Sequence, residues 1–265
     1  MICVIDIGNS NIVIGLMKSD QEILFTGRIR SNRDQTTEQF FVEVKALFHA
    51  YEISLEGLEG VILSSVVPYL TEVVRDAFFK LTGLMPYIVA HGTKTGIRIA
   101  TDHPASVGSD LIVDAVAACE AYDGPIAIFD LGTASTCSVI GDHRTYLGTL
   151  IMPGVRISQD ALMEKAAQLP FFHLEKPKHM IGKNTIESMQ SGLIYGNAAM
   201  IDGLIDRINN ELGRPVTVIG TGGIAALIIP SCRHKIHYDK DLLLKGLWYL
   251  YQKNCRQKKD KGNAI

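Results

Sequence analysis

The first sixteen residues alternate between apolar and polar stretches in a way that predicts a β-hairpin. An apolar run ends on Asp6, a short polar turn follows, and an alternating apolar segment resumes at Ile12 and continues to Leu16. The turn, Gly8-Asn9-Ser10, places an amide and a hydroxyl next to the Asp6 carboxylate and to backbone N–H groups. This pattern fits either an ordinary hairpin or a cradle for a phosphate chain and its metal ion.

Beyond the hairpin, strand-like and helix-like segments alternate along the chain. Strands are predicted where apolar residues run continuously or alternate, and helices where they recur every three or four positions. This order is typical of a sheet with helices on its faces. The predicted strands are Ile23 to Arg30, Gly60 to Val67, Tyr87 to Ala90 and Val216 to Ile219; the predicted helices are Glu38 to Tyr51, Tyr69 to Leu81, Leu111 to Ala121, Ser158 to Gln168, Ile186 to Leu212 and Lys240 to Gln252; and the predicted loops include His91 to Ser106 and Met152 to Gly154.

The second half of the chain repeats the opening pattern. Residues 125–140 contain an apolar strand, an Asp, an apolar residue, a Gly, a small polar turn and a second strand. Asp130 corresponds to Asp6, and Thr133 corresponds to Asn9. Two copies about half a chain apart predict a duplicated fold with one turn from each half facing a common cleft. A third glycine turn, residues 220–223, follows a predicted strand and would let a nucleotide approach the backbone closely.

A further carboxylate lies between the two turns, at the start of a predicted helix. Gly108 and Ser109 form a loop or cap, so Asp110 falls in the first helical turn. The helix N-terminus stabilises an anion there, which predicts a lowered pKa. Asp110 is therefore either a capping residue or the base that receives a proton from an acceptor hydroxyl. Together with the three turns, it suits phosphoryl transfer from a metal-bound nucleotide, which needs positioning and charge neutralisation.

Composition narrows the class of protein. The 265 residues are 47% hydrophobic and 20% charged, which predicts a sizeable core in one large or two smaller domains. A net charge of −2 offers no basic field for nucleic acid, and no apolar run reaches the roughly 18 residues of a membrane span. The five cysteines are widely spaced and suit reduced thiols. We therefore expect a cytoplasmic protein without a nucleic-acid or membrane partner.

Eight short motifs, taken in order, resemble those of one enzyme family. They are Asp6-Ile-Gly-Asn-Ser-Asn11, Ser64-Ser-Val-Val-Pro68, Lys94-Thr-Gly96, Val107-Gly-Ser-Asp110, Asp130-Leu-Gly-Thr-Ala-Ser-Thr136, Pro153-Gly154, Gly182-Lys-Asn-Thr185 and Thr221-Gly-Gly223. On these motifs the chain resembles the type III pantothenate kinases, and the resemblance runs in order from about residue 1 to residue 250.

The resemblance implies both a fold and an activity. The fold is α/β, a duplicated ribonuclease-H-like arrangement of the actin and acetate kinase superfamily, with two domains around an ATP cleft. We place these domains at residues 1–118 and 119–265, with the last helix able to pack back on the first domain. The implied protein is a homodimer that phosphorylates pantothenate with ATP and magnesium, at the first step of coenzyme A synthesis. A monovalent cation, potassium or ammonium, is a further implied requirement.

The resemblance also implies roles for residues at matching positions. Asp110 would accept the proton, Asp130 would help to hold the monovalent cation, and Thr133 would contact ATP. Without the resemblance, Asp130 would be interpreted as a second magnesium carboxylate. The ATP phosphates and magnesium would be bound by Asp6, Ile7, Gly8, Asn9, Ser10, Asn11, Ile12 and Val13, with Asp6 on the magnesium side, and pantothenate would be contacted by Gly108, Ser109, Asp110, Leu111 and Thr185.

The chain departs from the family pattern near the acceptor site. The family sequence Gly-Ala-Asp-Arg is Gly108-Ser-Asp-Leu111 here, a family tyrosine corresponds to Thr101, and a family glycine corresponds to Thr149. Losing an Arg–carboxylate pair removes about 1.5 to 3 kcal/mol, or about one to two decades of affinity. Either Arg98 or Arg156 supplies the cation in a rebuilt pocket, or the chain is a catalytically weak ATP-binding relative with a regulatory role, or it phosphorylates another small hydroxyl compound.

Overall fold

The structure is a computed structural model of the chain, and it describes residues 1–165 and 170–256. Strands and helices alternate, as the hydrophobic pattern predicts. The strands are β1 (Ile2–Ile7), β2 (Asn11–Met17), β3 (Ile23–Arg30), β4 (Gly60–Ser65), β5 (Tyr87–Ile88), β6 (Arg98–Ile99), β7 (Ile126–Leu131), β8 (Ala134–Gly141), β9 (Thr145–Pro153), β10 (Thr217–Thr221) and β11 (His237–Tyr238). The helices are α1 (Thr37–Ala50), α2 (Pro68–Thr82), α3 (Ser109–Ala121), α4 (Val155–Lys165), α5 (Thr185–Leu212), α6 (Ala225–Ile228) and α7 (Leu242–Tyr251).

The chain divides into two compact units that interleave along the sequence. Unit 1 contains Met1–Ile97, His103–Ala117 and the chain from Leu242 onward, and unit 2 contains Arg98–Asp102 and Ala118–Asp241. Helix α7 therefore belongs to unit 1, although unit 2 precedes it in the sequence. A domain boundary after residue 118 stays a prediction.

The sheet of unit 1 has five strands in the order β3-β2-β1-β4-β5. Strand β1 is antiparallel to β2 and parallel to β4. Because side chains alternate between the two faces of a strand, odd and even residues of β1 enter different clusters. Cys3 and Ile5 pack with residues of α1 and α2, whereas Ile2 and Val4 pack with residues of α3 and α7. Asp6, also an even-numbered residue of β1, projects from the same face of the sheet as Ile2 and Val4.

The sheet of unit 2 has the same plan with one strand added. Its order is β11-β10-β7-β8-β9-β6. Strand β7 is antiparallel to β8 and parallel to β10, as β1 is to β2 and β4. Strand β9 is antiparallel to β8, as β3 is to β2. The two sheets therefore share one strand order, which is the duplication predicted from the repeated hairpin, and β6 is the additional strand.

Helix ends follow signals that the sequence carries. Thr36 caps α1 in a capping box with Gln39, and Asn184 caps α5 by accepting the Glu187 N–H. Pro68 opens α2 at the first helical position, where its missing N–H leaves no hydrogen bond unmade. Gly83 ends that helix in the left-handed conformation that glycine adopts without strain.

Several predicted bounds were wrong. Met152 and Pro153 end strand β9 rather than forming a loop, and the region predicted as a loop from His91 to Ser106 contains the short strand β6. Helix α3 begins at Ser109, two residues before the predicted start, because Gly108 and not Ser109 precedes its first turn. Helix α4 begins at Val155, and its predicted end at Gln168 lies outside the described residues.

The described part of the chain contains no helix that combines the length and the apolar composition needed to cross a membrane. All five cysteines are free thiols, and Cys3, Cys119 and Cys137 are buried. Burial raises the pKa of the Cys137 thiol to about 12 and that of the Cys119 thiol to about 11. These thiols therefore stay protonated at neutral pH and pack as small apolar groups.

Candidate active site

The opening turn of unit 1 is held in place from both ends. The Gly8 N–H donates to the Asn11 carbonyl oxygen at 3.0 Å, which closes the turn. Ser31, just after β3, donates from its hydroxyl to the Gly8 carbonyl oxygen at 2.6 Å and from its N–H to the Ser10 carbonyl oxygen at 3.0 Å. The side chains of Asn9, Ser10 and Asn11 are exposed. The turn is thus fixed in its backbone and open in its side chains, as a ligand cradle requires.

Asp6 lies at the end of β1, in a row of cross-strand neighbours. Its Cα partners are Val13 on β2 and Ser64 on β4. Directly paired residues of neighbouring strands project from the same face, so the side chains of Asp6 and Ser64 share the face that α3 and α7 cover. The two strands are about 4.8 Å apart. Ser64 is fully buried.

Ser64 connects this row to the start of α3. Its hydroxyl oxygen lies 2.9 Å from that of Ser109, the first residue of α3. The Ser109 hydroxyl also donates to the Ser65 carbonyl oxygen at 3.0 Å. The next residue is Asp110, so unit 1 places the two predicted carboxylates, Asp6 and Asp110, at the same edge of one sheet.

The pKa of Asp110 moves in the direction opposite to the prediction. Burial raises it, and the N–H groups of Leu111 and Asp110 itself lower it by a smaller amount. The helix N-terminus therefore does act on this carboxylate, since the Leu111 N–H donates to Oδ1 at 2.8 Å, but loss of water outweighs it. Gly108 lies directly under the carboxylate: a Cβ atom there would be 2.5 Å from Oδ1.

The second turn, in unit 2, centres on Asp130. Its Cα partners are Thr136 on β8 and Thr221 on β10, which repeats the arrangement around Asp6. A Cβ atom on Gly222 would collide with the Asp130 carboxylate and would lie 2.6 Å from the Leu131 nitrogen. Gly222 also has a φ of 92°, which glycine adopts without strain. The glycine turn after β10 therefore lies against Asp130.

Thr133 lies in the same turn and is exposed. The backbone of its turn packs directly on Gly154, where a Cβ atom would collide with the Thr133 carbonyl oxygen and lie 2.7 Å from that of Gly132. Only glycine leaves room for this approach. Three glycine-containing turns, at residues 132, 154 and 222, thus lie around Asp130 and Thr133.

Thr136, on the strand next to Asp130, has a buried hydroxyl group. This hydroxyl has no hydrogen-bond partner among the described residues, and Thr136 is directly opposite Asp130 in the sheet. Carboxylate and hydroxyl oxygens are ligands of the kind that hard cations prefer. Within residues 1–165 and 170–256, no three His, Cys, Asp or Glu side chains cluster as a metal site of their own.

Thr185 lies elsewhere in unit 2. It is the first residue of α5 and lines an open cavity of about 780 Å³. The cavity contains both signs of charge, because its lining includes Lys176 and Lys178 as well as Glu175 and Glu187. A small polar molecule would fit this volume and composition.

The positions that depart from the family pattern have distinct surroundings. Thr149 donates from its hydroxyl to the Cys137 carbonyl oxygen at 3.2 Å, so this side chain lies along the sheet. The hydroxyl of Thr101 is buried and makes no hydrogen bond within the described residues. Arg98 and Arg156 are exposed members of unit 2, whereas Leu111 belongs to unit 1 and is half-buried. Which cation, if any, replaces the family arginine stays a prediction.

Comparison with protein families decides the identity. The model of the type III pantothenate kinases matches residues 2–207. The chain belongs to this family. Two curated relatives support the assignment. A type III pantothenate kinase of an Exiguobacterium species is 44% identical over 254 residues, which cover 96% of this chain and 99% of the relative. The one from Moorella thermoacetica is 39% identical over 254 residues, covering 96% of this chain and all of the relative.

Solved structures confirm the fold class of this kinase family member. An ROK family protein from Streptococcus pneumoniae, solved with sucrose, aligns with a TM-score of 0.55 at 14% identity and covers 97% of this chain and 99% of that one. The activator of a 2-hydroxyisocaproyl-CoA dehydratase from Clostridium difficile, solved with ADPNP, aligns at 0.54 and 11% identity, covering 98% and 96%. This member of the pantothenate kinase family therefore has a duplicated ribonuclease-H-like α/β fold.

Sequence reasoning missed several residues that shape the two half-sites of this family member. Ser31 carries no local signal for a role in the site, because its partners are set by sheet pairing. Ser64 and Thr136 belong to two of the family motifs, but their own neighbours in the sequence do not indicate what each one contacts. In the structure, Gly108 lies against the Asp110 carboxylate and Gly222 lies against the Asp130 carboxylate. A glycine by itself is only a weak sequence signal for such a contact.

Proposed function

We propose that this chain transfers the γ-phosphoryl group of ATP to pantothenate, giving 4'-phosphopantothenate and ADP at the first step of coenzyme A synthesis. Membership of the type III pantothenate kinase family supports this reaction. The structural observation that carries it is the placement of Asp110 at the start of α3, joined through Ser109 and Ser64 to the strand beside Asp6.

The opening turn suits the nucleotide. Residues 6–13 would bind the ATP phosphates through the backbone of the Gly8 turn and the exposed side chains of Asn9, Ser10 and Asn11. Asp6 would lie on the magnesium side, and magnesium, when bound, neutralises charge on the phosphates. In unit 2, Thr133 would contact ATP from a turn whose backbone packs on Gly154.

Asp110 is our assignment for the proton acceptor. The acceptor hydroxyl oxygen forms a bond to the γ-phosphorus, its proton passes to Asp110, and the bond from the γ-phosphorus to the bridging oxygen breaks to release ADP. Oδ1 already accepts the Leu111 N–H, so we assign the proton to Oδ2. Burial supports this role, because a raised pKa makes the carboxylate a stronger base. Gly108, Ser109, Leu111 and Thr185 would contact pantothenate.

Asp130 and Thr136 are the residues that we propose for the monovalent cation. Their support is the carboxylate with a buried hydroxyl directly opposite it. Potassium or ammonium, when bound, adds a positive charge beside the turn that carries Thr133.

An assay of ADP release tests the proposed function. The rate is measured with and without pantothenate, first in potassium and then in sodium buffer. We expect turnover that needs both pantothenate and potassium. ATP binding without turnover at any pantothenate concentration would instead favour the catalytically weak relative. Turnover only with another small alcohol would point to a different acceptor, as the replacement of the family arginine by Leu111 allows.

We also propose that the kinase is a homodimer in the cytoplasm, where its substrate ATP is supplied. Between residues 147 and 186, unit 2 exposes large apolar side chains whose burial against a second copy would be favourable. These include Leu147, Ile151, Phe171, Met180 and Ile181. Sedimentation of the purified protein tests the dimer, and a monomer at micromolar concentration would contradict it.

A further inference from the structure

Three serines, hereafter the serine chain, join the start of α3 to the end of β4: Ser64, Ser109 and Ser65. The Ser64 and Ser109 hydroxyl oxygens are 2.9 Å apart, and the Ser109 hydroxyl donates to the Ser65 carbonyl oxygen at 3.0 Å. A hydroxyl has a single proton to donate. Because the Ser109 proton goes to Ser65, the proton between the other two comes from Ser64. The hydrogen bonds therefore run in one direction, from Ser64 through Ser109 to the backbone of Ser65.

The serine chain has few alternatives for its hydrogen bonds. Ser64 is fully buried, so its hydroxyl cannot turn to water when the partner is lost. The Ser65 hydroxyl already takes part in other hydrogen bonds: it accepts from the N–H of Val67 at 3.1 Å and from the hydroxyl of Thr71 at 2.8 Å. Loss of the Ser109 hydroxyl would therefore leave a buried donor without its partner.

Two members of the serine chain, Ser64 and Ser109, each adjoin a carboxylate of the proposed reaction. Ser64 is the Cα partner of Asp6 across β1 and β4, and Ser109 directly precedes Asp110. The connection between the two carboxylates thus consists of one strand pairing and one hydroxyl contact. Phosphoryl transfer depends on such placement, since a shift of about 1 Å can reduce a rate by about a hundredfold.

We propose that the serine chain is a positioning device, which acts through Ser109 and holds the Asp110 carboxylate in a set place relative to Asp6. This inference rests on the proposed function, because it concerns the placement of the proton acceptor. The role proposed for these hydroxyls is positioning, because each one contacts another hydroxyl or the backbone. It is separate from the contact with pantothenate that we propose for Ser109.

Ser109→Ala tests the proposal, with Ser106→Ala as the matched control. Ser106 is three residues upstream, is exposed, and also donates its hydroxyl to a backbone carbonyl, that of His103, at 2.7 Å. We expect Ser109→Ala to lower kcat at least about tenfold while the KM for ATP stays within about twofold, because the nucleotide turn is not altered. Ser106→Ala keeps the kcat of the unmodified chain. Ser109→Thr, which retains the hydroxyl, restores most of the rate.

A double-mutant cycle separates positioning from simple loss of stability. Ser64→Ala should lower kcat by less than Ser109→Ala, because the bond from Ser109 to Ser65 remains. The double variant should have the kcat of Ser109→Ala alone, since Ser64 acts only through Ser109. If the two losses multiply instead, or if Ser109→Ala lowers Tm but keeps kcat, the serine chain is only structural and the proposal is wrong.

Hydrogen exchange at the Leu111 amide gives a readout that does not depend on activity. This N–H donates to the Asp110 carboxylate, so we expect it to exchange at least about tenfold faster in Ser109→Ala and unchanged in Ser106→Ala. If the unmodified chain shows no pantothenate-dependent turnover, the proposed function fails. The exchange rate of the Leu111 amide alone then tests whether the serine chain holds the Asp110 carboxylate in place. Equal exchange in the two variants would then overturn the positioning role.

Discussion

The Asp130 carboxylate lies directly against the Cα of Gly222, so that a side chain at position 222 would displace it. Gly222→Ala should therefore raise the potassium concentration needed for half-maximal activity, by at least about tenfold if the cation ligand moves by about 1 Å. The matched control is Gly124→Ala, because Gly124 also has a positive φ, 81°, but has open space around it. Backbone strain should lower Tm in both variants. An unchanged potassium requirement in Gly222→Ala would contradict the assignment of Asp130.

Ser31 holds both ends of the turn that we assign to the ATP phosphates. Ser31→Ala removes the 2.6 Å hydrogen bond to the Gly8 carbonyl oxygen and leaves the backbone bond to Ser10. A neutral hydrogen bond contributes about 1 kcal/mol, so the KM for ATP should rise about fivefold while kcat changes little. Ser54→Ala, which also removes a hydroxyl from a loop of unit 1, is the control. If the KM for pantothenate rises and the KM for ATP stays constant, the turn binds pantothenate and our assignment of it to ATP is wrong.

Asp110 should make the protein less stable at neutral pH than an asparagine would. Its folded pKa is raised by burial, so the folded state holds this proton more tightly than the unfolded state does. Stability is therefore lost as pH rises from the ordinary Asp pKa of about 3.9 through the folded pKa, and the loss is complete above it. Asp110→Asn should have the higher Tm at pH 7, and the difference should shrink as pH falls. Equal Tm values across this range would show that the carboxyl group is not desolvated.

The same titration should appear in the pH dependence of the rate. A base must be ionised, so kcat should fall as pH drops below the folded pKa of Asp110, at a pH higher than an ordinary Asp would give.

Leu111 stands where the family pattern has an arginine. Leu111→Arg should lower the KM for pantothenate about tenfold, since a charge-assisted hydrogen bond to its carboxylate contributes about 1.5 kcal/mol. Leu111→Gln, which is polar but neutral, is the control and should have a smaller effect. A KM that stays constant or rises in Leu111→Arg would show that the acceptor pocket has been rebuilt around leucine.

Local patterns were enough to predict the parts of the fold that depend on neighbours in the chain. Both hairpins, and the alternation of strands with helices, follow from residues within a few positions. Strand β9 is absent from the prediction partly because Met152 and Pro153 look like a loop. Proline is tolerated at this end of the strand, because β6 pairs only with Thr145 and Tyr146 at the other end. The two-residue strands β6 and β11 are set by pairing and carry almost no pattern of their own.

In the candidate site, too, the features set by neighbours in the chain were predictable, whereas those set by packing of distant residues were not. The positions of Asp6 and Asp110 at element ends were predictable, but the direction of the Asp110 pKa was not, because burial is a property of the packed chain. The contact between Ser64 and Ser109 joins residues 45 positions apart, and no local rule predicts it. The cysteines of the core likewise acquire their raised pKa values only through packing.

The most direct test of the central claim is detection of 4'-phosphopantothenate by mass spectrometry after incubation with ATP, magnesium, potassium and pantothenate. We predict that the unmodified chain forms this product in equal amount to ADP, and that Asp110→Asn forms neither above background while still binding ATP. ADP without phosphorylated pantothenate, or product formed by Asp110→Asn at the rate of the unmodified chain, would contradict the account.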